Sequence, residues 1–402
     1  MTERSQLRLL GASRQTITAA EVAAVFDVGR LTQARRLAGL TKAALAMQVG
    51  VSAAAISQWE ARTSPPRPDH LTRLAEVLDV PIEFFAAGRP HAQLDGSAAH
   101  FRSLRSTRSS QRAKAIAFVE QVWELAYALE KYIQFPPVDL PGFPPDDGDD
   151  RTPTSPAEAA RALRVRWGLG VGPIPHLVRT LEMHGIVTTM VPFAGVDTAT
   201  IDAFSTSRMP RPLIVLTPDR GDDVCWHRFT AAHELGHLVL HRNAAPGDPE
   251  QEHEADAFAA EFLTPAAQIR DQLPTRFDVT SLQRLSTEWG VSLKSLVYRC
   301  RELGTISDAS ARRAYQRLNQ LYELRLIGSD SVANYAGEKP NLLHKAFELA
   351  ETNGMLTMPT LAHELRWRLP RLRLLLGHYD ERPILQLVEN HTDAATPANA
   401  AQ

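Results

Sequence analysis

Residues 229–241 read Phe-Thr-Ala-Ala-His-Glu-Leu-Gly-His-Leu-Val-Leu-His. Residues four apart on a helix stand about 40° from each other, so His233 and His237 project from one face and can share a metal ion. Glu234 stands one position on, beside the pair and not within it. There it can take a proton from water and later hand it to a leaving amine. Zinc suits such a site, because it brings the pKa of water down to about 7 and leaves one coordination position open. Leu238, Val239 and Leu240 keep the segment apolar, as a buried helix over about Asp223–Leu240 would be. His241 lies about 80° around that helix from His233, which suits a packed residue better than a ligand. His227 and His253 are expected at the surface, and Cys225 as a buried thiol.

A third ligand is expected from the next helical stretch, Pro249–Leu263, which Asp248 can cap. At about 100° per residue, Ala255, Phe258, Ala259 and Phe262 form its apolar face. Glu254 and Glu261 lie within about 20° of each other on one edge of that face. Glu252 and His253 point elsewhere on this projection, with Asp256 on the far side. Glu254 is therefore the expected ligand, with Glu261 and Glu250 as alternatives.

Upstream, helical patterns cover Ala157–Trp167 and Ile174–His184. β-branched runs at Ile186–Pro192 and Leu213–Thr217, with a weaker one at Thr200–Thr206, predict a small sheet. Before this block comes Pro136–Pro156, rich in Pro, Gly and Asp, which reads as a linker. The stretch 100–135 opens with Arg102, Arg105, Arg108, Arg112 and Lys114. It continues as an amphipathic helix with Ile116, Val119, Val122, Trp123, Ala126 and Leu129 at helical spacing.

Near the N-terminus, Thr41 can cap a helix through Val49, Gly50 suits a tight turn, and Ser52 can cap a second helix over Ala53–Arg62. Ile56 and Trp59 would pack inward, leaving the small polar face Ala53, Ala54, Ser57 and Gln58, which fits a DNA major groove. Gln58 can bond adenine or a phosphate, and Lys42 and Ser52 can position phosphates. Arg30, Arg35, Arg36 and Lys42, with no acid among them, add a local positive footprint. Toward the C-terminus, Trp289-Gly290-Val291-Ser292 between two apolar-periodic stretches repeats the helix-turn-helix spacing, and Thr357–Leu376 repeats it more weakly.

Two resemblances follow from these residues. Leu31–Thr41, Leu45-Ala46, Gly50-Val51-Ser52, Ile56–Glu60, Leu74-Ala75, Val80-Pro81 and Phe84-Phe85 are similar to the phage-repressor (Cro/C1, XRE-type) helix-turn-helix domain. That implies a double-stranded DNA operator as partner, and a homodimer reading paired half-sites. Phe229–His237, His241, Glu252–Pro265 and, upstream, Trp167–Gly170 and Gly172–Pro175 resemble the ImmA/IrrE metallopeptidase family. It implies zinc held by His233, His237 and Glu254, gluzincin-like peptide hydrolysis, and a protein substrate, typically a repressor.

The expected fold is multidomain and mainly α. A helix-turn-helix bundle at 19–88 is followed by the basic connecting helix at 100–135 and the linker at 136–156. An α+β zincin-like domain with a small sheet spans 157–303, a helical region 304–390 and a disordered tail 391–402. The 402 residues carry 44 cations and 46 acids, and this near-neutral total conceals segregated runs: five cations over Arg102–Lys114 and five aspartates over Val138–Asp150. Two cysteines build no disulfide framework, and neither an N-terminal leader nor a stretch of eighteen apolar residues is read, so a cytoplasmic protein without a membrane span is expected. The leading functional reading is a transcription regulator whose zinc endopeptidase cuts a repressor-type protein or its own chain, with Pro136–Pro156 as the accessible place. The alternative is a DNA-binding regulator whose zinc domain is a non-catalytic sensor or scaffold.

Overall fold

A computed structural model describes residues 17–86, 88, 100–101, 109–143, 155–191, 203–217, 223–242, 248–328, 331–332, 335 and 337–377. The first unit contains α1 (Ala19–Ala24), α2 (Val28–Leu37), α3 (Lys42–Val49), α4 (Ala53–Glu60) and α5 (Pro68–Val77), closed by a 3-10 turn at Ile82–Ala86. Next comes α6 (Ser109–Glu130), then α7 (Pro156–Arg166) and α8 (Leu177–Met183). The strands β1 (His100–Phe101), β2 (Val187–Met190), β3 (Ala203–Thr206) and β4 (Leu213–Leu216) form one sheet in the order β1-β3-β4-β2. β2 runs parallel to β4, and the other two pairings are antiparallel. Two long helices follow, α9 (Val224–Leu240) and α10 (Pro249–Leu263), and then the short α11 (Ala266–Ile269). The rest is helical: α12 (Val279–Trp289), α13 (Leu293–Glu302), α14 (Asp308–Glu323), α15 (Leu342–Thr352), α16 (Met358–Leu365) and α17 (Leu369–Leu375).

The continuous apolar run Leu213-Ile214-Val215-Leu216 is buried throughout, as a strand covered on both faces requires. Alternate residues of the sheet feed two separate cores. Val187, Phe204, Leu213 and Val215 join a core shared with α1–α6 and α15–α17, whereas Ala203, Ile214 and Leu216 join one shared with α7–α10 and α12–α14. The sheet is thus the partition between the two halves of the protein.

The helix expected to be amphipathic departs from that reading. From Ala115 to Leu129, α6 is buried on every face except at Tyr127, so Ala117, Phe118, Leu125 and Ala128 lie inside along with the predicted stripe. The reason is its position: α2 packs on one side of it, and α15 and α16 on another. Even its acids are internal. Glu124 meets the Arg30 guanidinium at 2.6 Å and the Gln33 amide at 2.9 Å, and Glu120 accepts from Gln33 at 3.2 Å. Arg102, Arg105 and Arg108 lie outside the described residues.

The first part of the expected linker, Pro136–Phe143, packs against the body. Phe135 and Leu140 are buried, the Asp139 carbonyl accepts from the Trp167 indole at 2.7 Å, and Arg166 pairs with the Asp139 carboxylate at 2.5 Å. Residues 144–154 lie outside the described residues, as does the tail expected at 391–402.

One buried polar joint ties distant segments behind α9. Arg228 pairs with Glu338 and also donates to the carbonyls of Ile174 and Gly290, at 2.7 and 2.9 Å. Glu338 in turn accepts from the first amides of α8, Leu177 and Val178, so a carboxylate satisfies the positive end of that helix. His227, expected at the surface, is 1% exposed because its Nε2 donates to the Glu338 carbonyl at 2.9 Å.

Burial holds the His227 pKa down at about 4, against an ordinary value of 6.5. The unfolded chain therefore binds a proton between those values that the fold refuses. Stability is full above pH 6.5, falls as the pH drops toward 4, and stays reduced below it, by on the order of 3 kcal/mol. Urea unfolding at pH 7 and pH 4.5 should show this loss shrinking in His227→Gln, which keeps an N–H donor. An equal pH dependence in both proteins would refute the assignment.

Candidate metal centre and DNA-facing helix

The centre is built where α9 crosses α10. A Cβ on Gly236 would stand 3.2 Å from the Ala255 Cα and 3.3 Å from its carbonyl oxygen, so glycine is what permits this close approach. The approach carries the imidazoles of His233 and His237, 0% and 1% exposed, onto the side chains of α10.

Six contacts set the geometry. The two Nε2 atoms are 3.0 Å apart. Glu252 places its Oε2 3.5 Å from the Nε2 of His233 and its Oε1 3.5 Å from that of His237. Behind the pair, Asp256 Oδ1 is 2.8 Å from His233 Nδ1. His237 Nδ1 is 2.9 Å from His241 Nδ1, and His241 Nε2 is 2.8 Å from Glu254 Oε2.

These partners decide the tautomers. A carboxylate only accepts, so His233 donates through Nδ1 to Asp256, and His241 donates through Nε2 to Glu254. The remaining nitrogen of neutral His241 then accepts from His237 Nδ1. Both Nε2 lone pairs consequently aim at one point, 3.0 Å apart and next to a carboxylate. Such an arrangement is repulsive unless a cation sits between them.

The structure sets Glu252, and not the expected Glu254, against the two histidines. A projection centred on the apolar stripe of α10 selects Glu254, but the crossing at Gly236 and Ala255 turns Glu252 and Asp256 toward them. Glu254 points to the other flank, where it is 43% exposed and bonded to His241. Glu261, one alternative, is committed to Arg299, Arg161 and the Ala266 amide; Glu250, the other, lies at the start of α10, its amide bonded to the Asp248 cap. Glu234 is fully buried, and His253 is exposed as expected. Cys225 is half-buried, less enclosed than expected. The missed signal was spacing: Glu252 and Asp256 stand four apart, like the two histidines they face.

Asp256 also lines a mostly apolar cavity of 220 Å³ with Phe229, Val291 and Tyr298.

In the first unit, Gly50 takes the left-handed conformation (φ 81°) that ends α3, and the Ser52 hydroxyl caps α4 through the Ala55 amide at 3.1 Å. Ile56 and Trp59 are buried, so Ser52, Ala53, Ala54 and Gln58 are exposed and Ser57 half-buried. Lys42 stands at the start of α3, partly exposed and 3.4 Å from Glu60. The positive footprint is thinner than the sequence suggested. Arg30 is buried against Glu124, and Arg35 forks onto Glu60 at 2.6 and 3.1 Å, so both serve the fold.

Residues 31–85 match the helix-turn-helix family model, and residues 181–301 match that of the IrrE N-terminal-like domain, a peptidase family. The chain joins a helix-turn-helix domain to an IrrE-like peptidase-family domain. Both occur in the order expected from the sequence. No curated protein matches the chain significantly. Among the described residues, no helix is long and apolar enough to cross a membrane.

A peptidase of this family implies a metal, and the donor set of the IrrE-like domain fits one. With metal–ligand bonds of about 2.0–2.1 Å, a tetrahedral site requires ligand atoms about 3.3–3.4 Å apart. The observed separations are 3.0, 3.5 and 3.5 Å. Because Gly236 sets this spacing, Gly236→Ala should push α10 outward by a few tenths of an ångström. Metal affinity should fall about tenfold or more while the far-ultraviolet circular dichroism is retained. Unchanged affinity in a metal titration would contradict the role given to the glycine.

Proposed function

We propose that the chain is a DNA-binding regulator carrying an active zinc endopeptidase, with His233, His237 and Glu252 as ligands and Glu234 as the proton carrier. The observation supporting it most is the convergence of two lone-pair nitrogens and one carboxylate at near-tetrahedral spacing in a buried site. Zinc, when bound, supplies Lewis acidity toward a peptide carbonyl and acidifies water at neutral pH. Asp256 holds His233 in its ligand tautomer, and the Glu254–His241 pair does the same for His237. Glu234 takes a proton from the attacking water on its carboxylate and delivers it to the departing amide nitrogen. The apolar cavity beside Asp256 would receive a substrate side chain next to the cut.

The substrate is a protein, either a repressor-type partner or this chain itself. Self-cleavage would spare Pro136–Phe143, which is tied down by Leu140, Asp139 and Trp167. The DNA-facing residues are Lys42, Ser52, Ala53, Ala54, Ser57 and Gln58, read as one half of a paired operator bound by a homodimer.

Purified protein incubated with zinc and cell lysate should generate new termini detectable by mass spectrometry. Glu234→Gln should keep its zinc but cleave about 10²–10⁴-fold more slowly. Glu252→Gln should lose stoichiometric zinc, and Glu254→Gln should retain most of it. Unchanged cleavage in Glu234→Gln would refute the peptidase mechanism. Absence of cleavage by the zinc-loaded wild type would leave a metal-binding scaffold.

On DNA, Gln58→Ala should relax the choice of one base pair, a loss of about 1–3 kcal/mol against the preferred operator. Lys42→Ala should weaken all sequences alike and flatten the salt dependence. Gel-shift titrations over a range of salt would check both. Equal behaviour of the two variants would overturn these roles.

A further inference from the structure

Away from the metal centre, a cleft of 710 Å³ opens where the two cores meet, within the range of about 300–1,000 Å³ common for small-molecule sites. One wall is α8, with Arg179, Glu182 and Met183; the other is the segment Gly337–Lys345, which leads into α15. The end of α17 closes it at Leu376 and Gly377. A recess of 50 Å³ shares Lys339–Asn341, His344 and Leu376 with it and reaches Thr188 and Thr189 of β2.

The charges of this cleft are one-sided. Arg179, Lys339 and Lys345 are exposed cations on its walls, and Glu182 is the one acid among the described lining residues. That acid is already committed. Its Oε1 accepts from the Thr188 hydroxyl at 2.6 Å and from the Asn341 and Leu342 amides at 2.9 and 3.0 Å, so it satisfies the N-terminus of α15. Lys345 is shared with Glu348 at 2.6 Å, one turn further along the helix. Arg179 and Lys339 belong to no ion pair among the described residues. Two cations from separate chain segments therefore border a void in which the one carboxylate among the described lining residues is already hydrogen-bonded to the Thr188 hydroxyl and two backbone amides. Tyr335, Val332 and Leu376 add a ring and apolar surface beside them.

We infer that this cleft binds a small organic phosphate, its phosphoryl group between Arg179 and Lys339 and its organic body against Tyr335 and Leu376. A doubly charged phosphoryl group suits the pair better than a neutral ligand, because Arg offers a planar fork of donors and Lys a compact point charge. The ligand would bridge α8, which belongs to the metal-bearing half, and α15–α17, which share a core with the helix-turn-helix unit. This site does not depend on the peptidase reading.

The test is calorimetric titration of the full chain with adenosine monophosphate, adenosine and inorganic phosphate at constant ionic strength. Parallel runs use chelator-treated protein, and Arg179→Ala, Lys339→Ala and the remote Arg276→Ala are compared with wild type. The expected result is saturation at one site by adenosine monophosphate, with Kd raised tenfold or more in Arg179→Ala and Lys339→Ala. Arg276→Ala and chelation should leave it unchanged, and adenosine should bind at least tenfold more weakly. The inference is overturned if neither phosphate compound saturates, if adenosine binds as tightly, or if both cleft variants match wild type. It is equally overturned if chelation abolishes binding, which would put the anion at the metal centre.

Discussion

The contact between Gly236 and Ala255 is the constraint from which the metal-bearing half takes its form. Two helices approaching this closely need a residue without a side chain at the crossing, and α9 supplies it between its two inward histidines. The approach has two consequences at once. It buries Phe258 and Phe262 under α9, and it brings Glu252 and Asp256 to the imidazoles. Close packing and the proposed ligand set are thus one feature, because separating the helices would loosen both. The remaining buried charges keep this pair in place. Arg299 and Glu261 fasten the end of α10 to α13, and Arg164 holds the carbonyl of Phe262 at 2.6 Å. Removing one member of such a pair typically costs about 3–5 kcal/mol, since the other is left charged and buried.

The other half is organised around α6, and the sheet lies between the halves. Packing on both sides explains why so little of α6 faces water, and why its acids meet Arg30 and Gln33 of α2. The helix-turn-helix unit is therefore seated on the body through a buried polar joint as well as apolar contacts. Geometry also separates the three helix-turn-helix-like turns. Gly50, Gly290 and Arg366 each end a helix in the left-handed region, with φ of 81°, 63° and 56°. The turn at Gly290 opens into α13, whose Leu293, Leu296, Val297 and Arg299 are buried. The turn at Arg366 leads to Arg368, which pairs with Asp79 of the first unit. The turn at Gly50 opens into a helix whose small residues Ala53 and Ala54 remain exposed.

Much of this was legible from local chemistry. Three of the four strands appeared in the β-branched runs, whereas β1 (His100–Phe101) stands where the connecting helix was expected to begin, and that helix starts only at Ser109. The caps at Thr41, Ser52 and Asp248 appeared because short polar side chains satisfy the first amides of a helix. The histidine pair was legible because its spacing is itself a geometric statement. What stayed hidden depends on partners remote in sequence. A helical projection of α10 shows which residues share a face but not where the neighbouring helix crosses it, so Glu254 stood out and Glu252 did not. Arg30 and Arg35 looked like a charged surface until Glu124 and Glu60 came into contact with them. His227 looked exposed until Glu338, 111 residues away, supplied its acceptor. An apolar stripe on α6 was visible, but its burial on the other faces follows only from tertiary assembly.

The central claim is the identity of the three ligands, and anomalous scattering from crystals of the zinc-loaded protein tests it most directly. Data collected on either side of the zinc absorption edge should give a single strong peak about 2.0–2.1 Å from the Nε2 atoms of His233 and His237 and from a carboxylate oxygen of Glu252. Glu254 should remain on His241. A peak coordinated by Glu254 in place of Glu252, or no peak between the two histidines, would contradict the account.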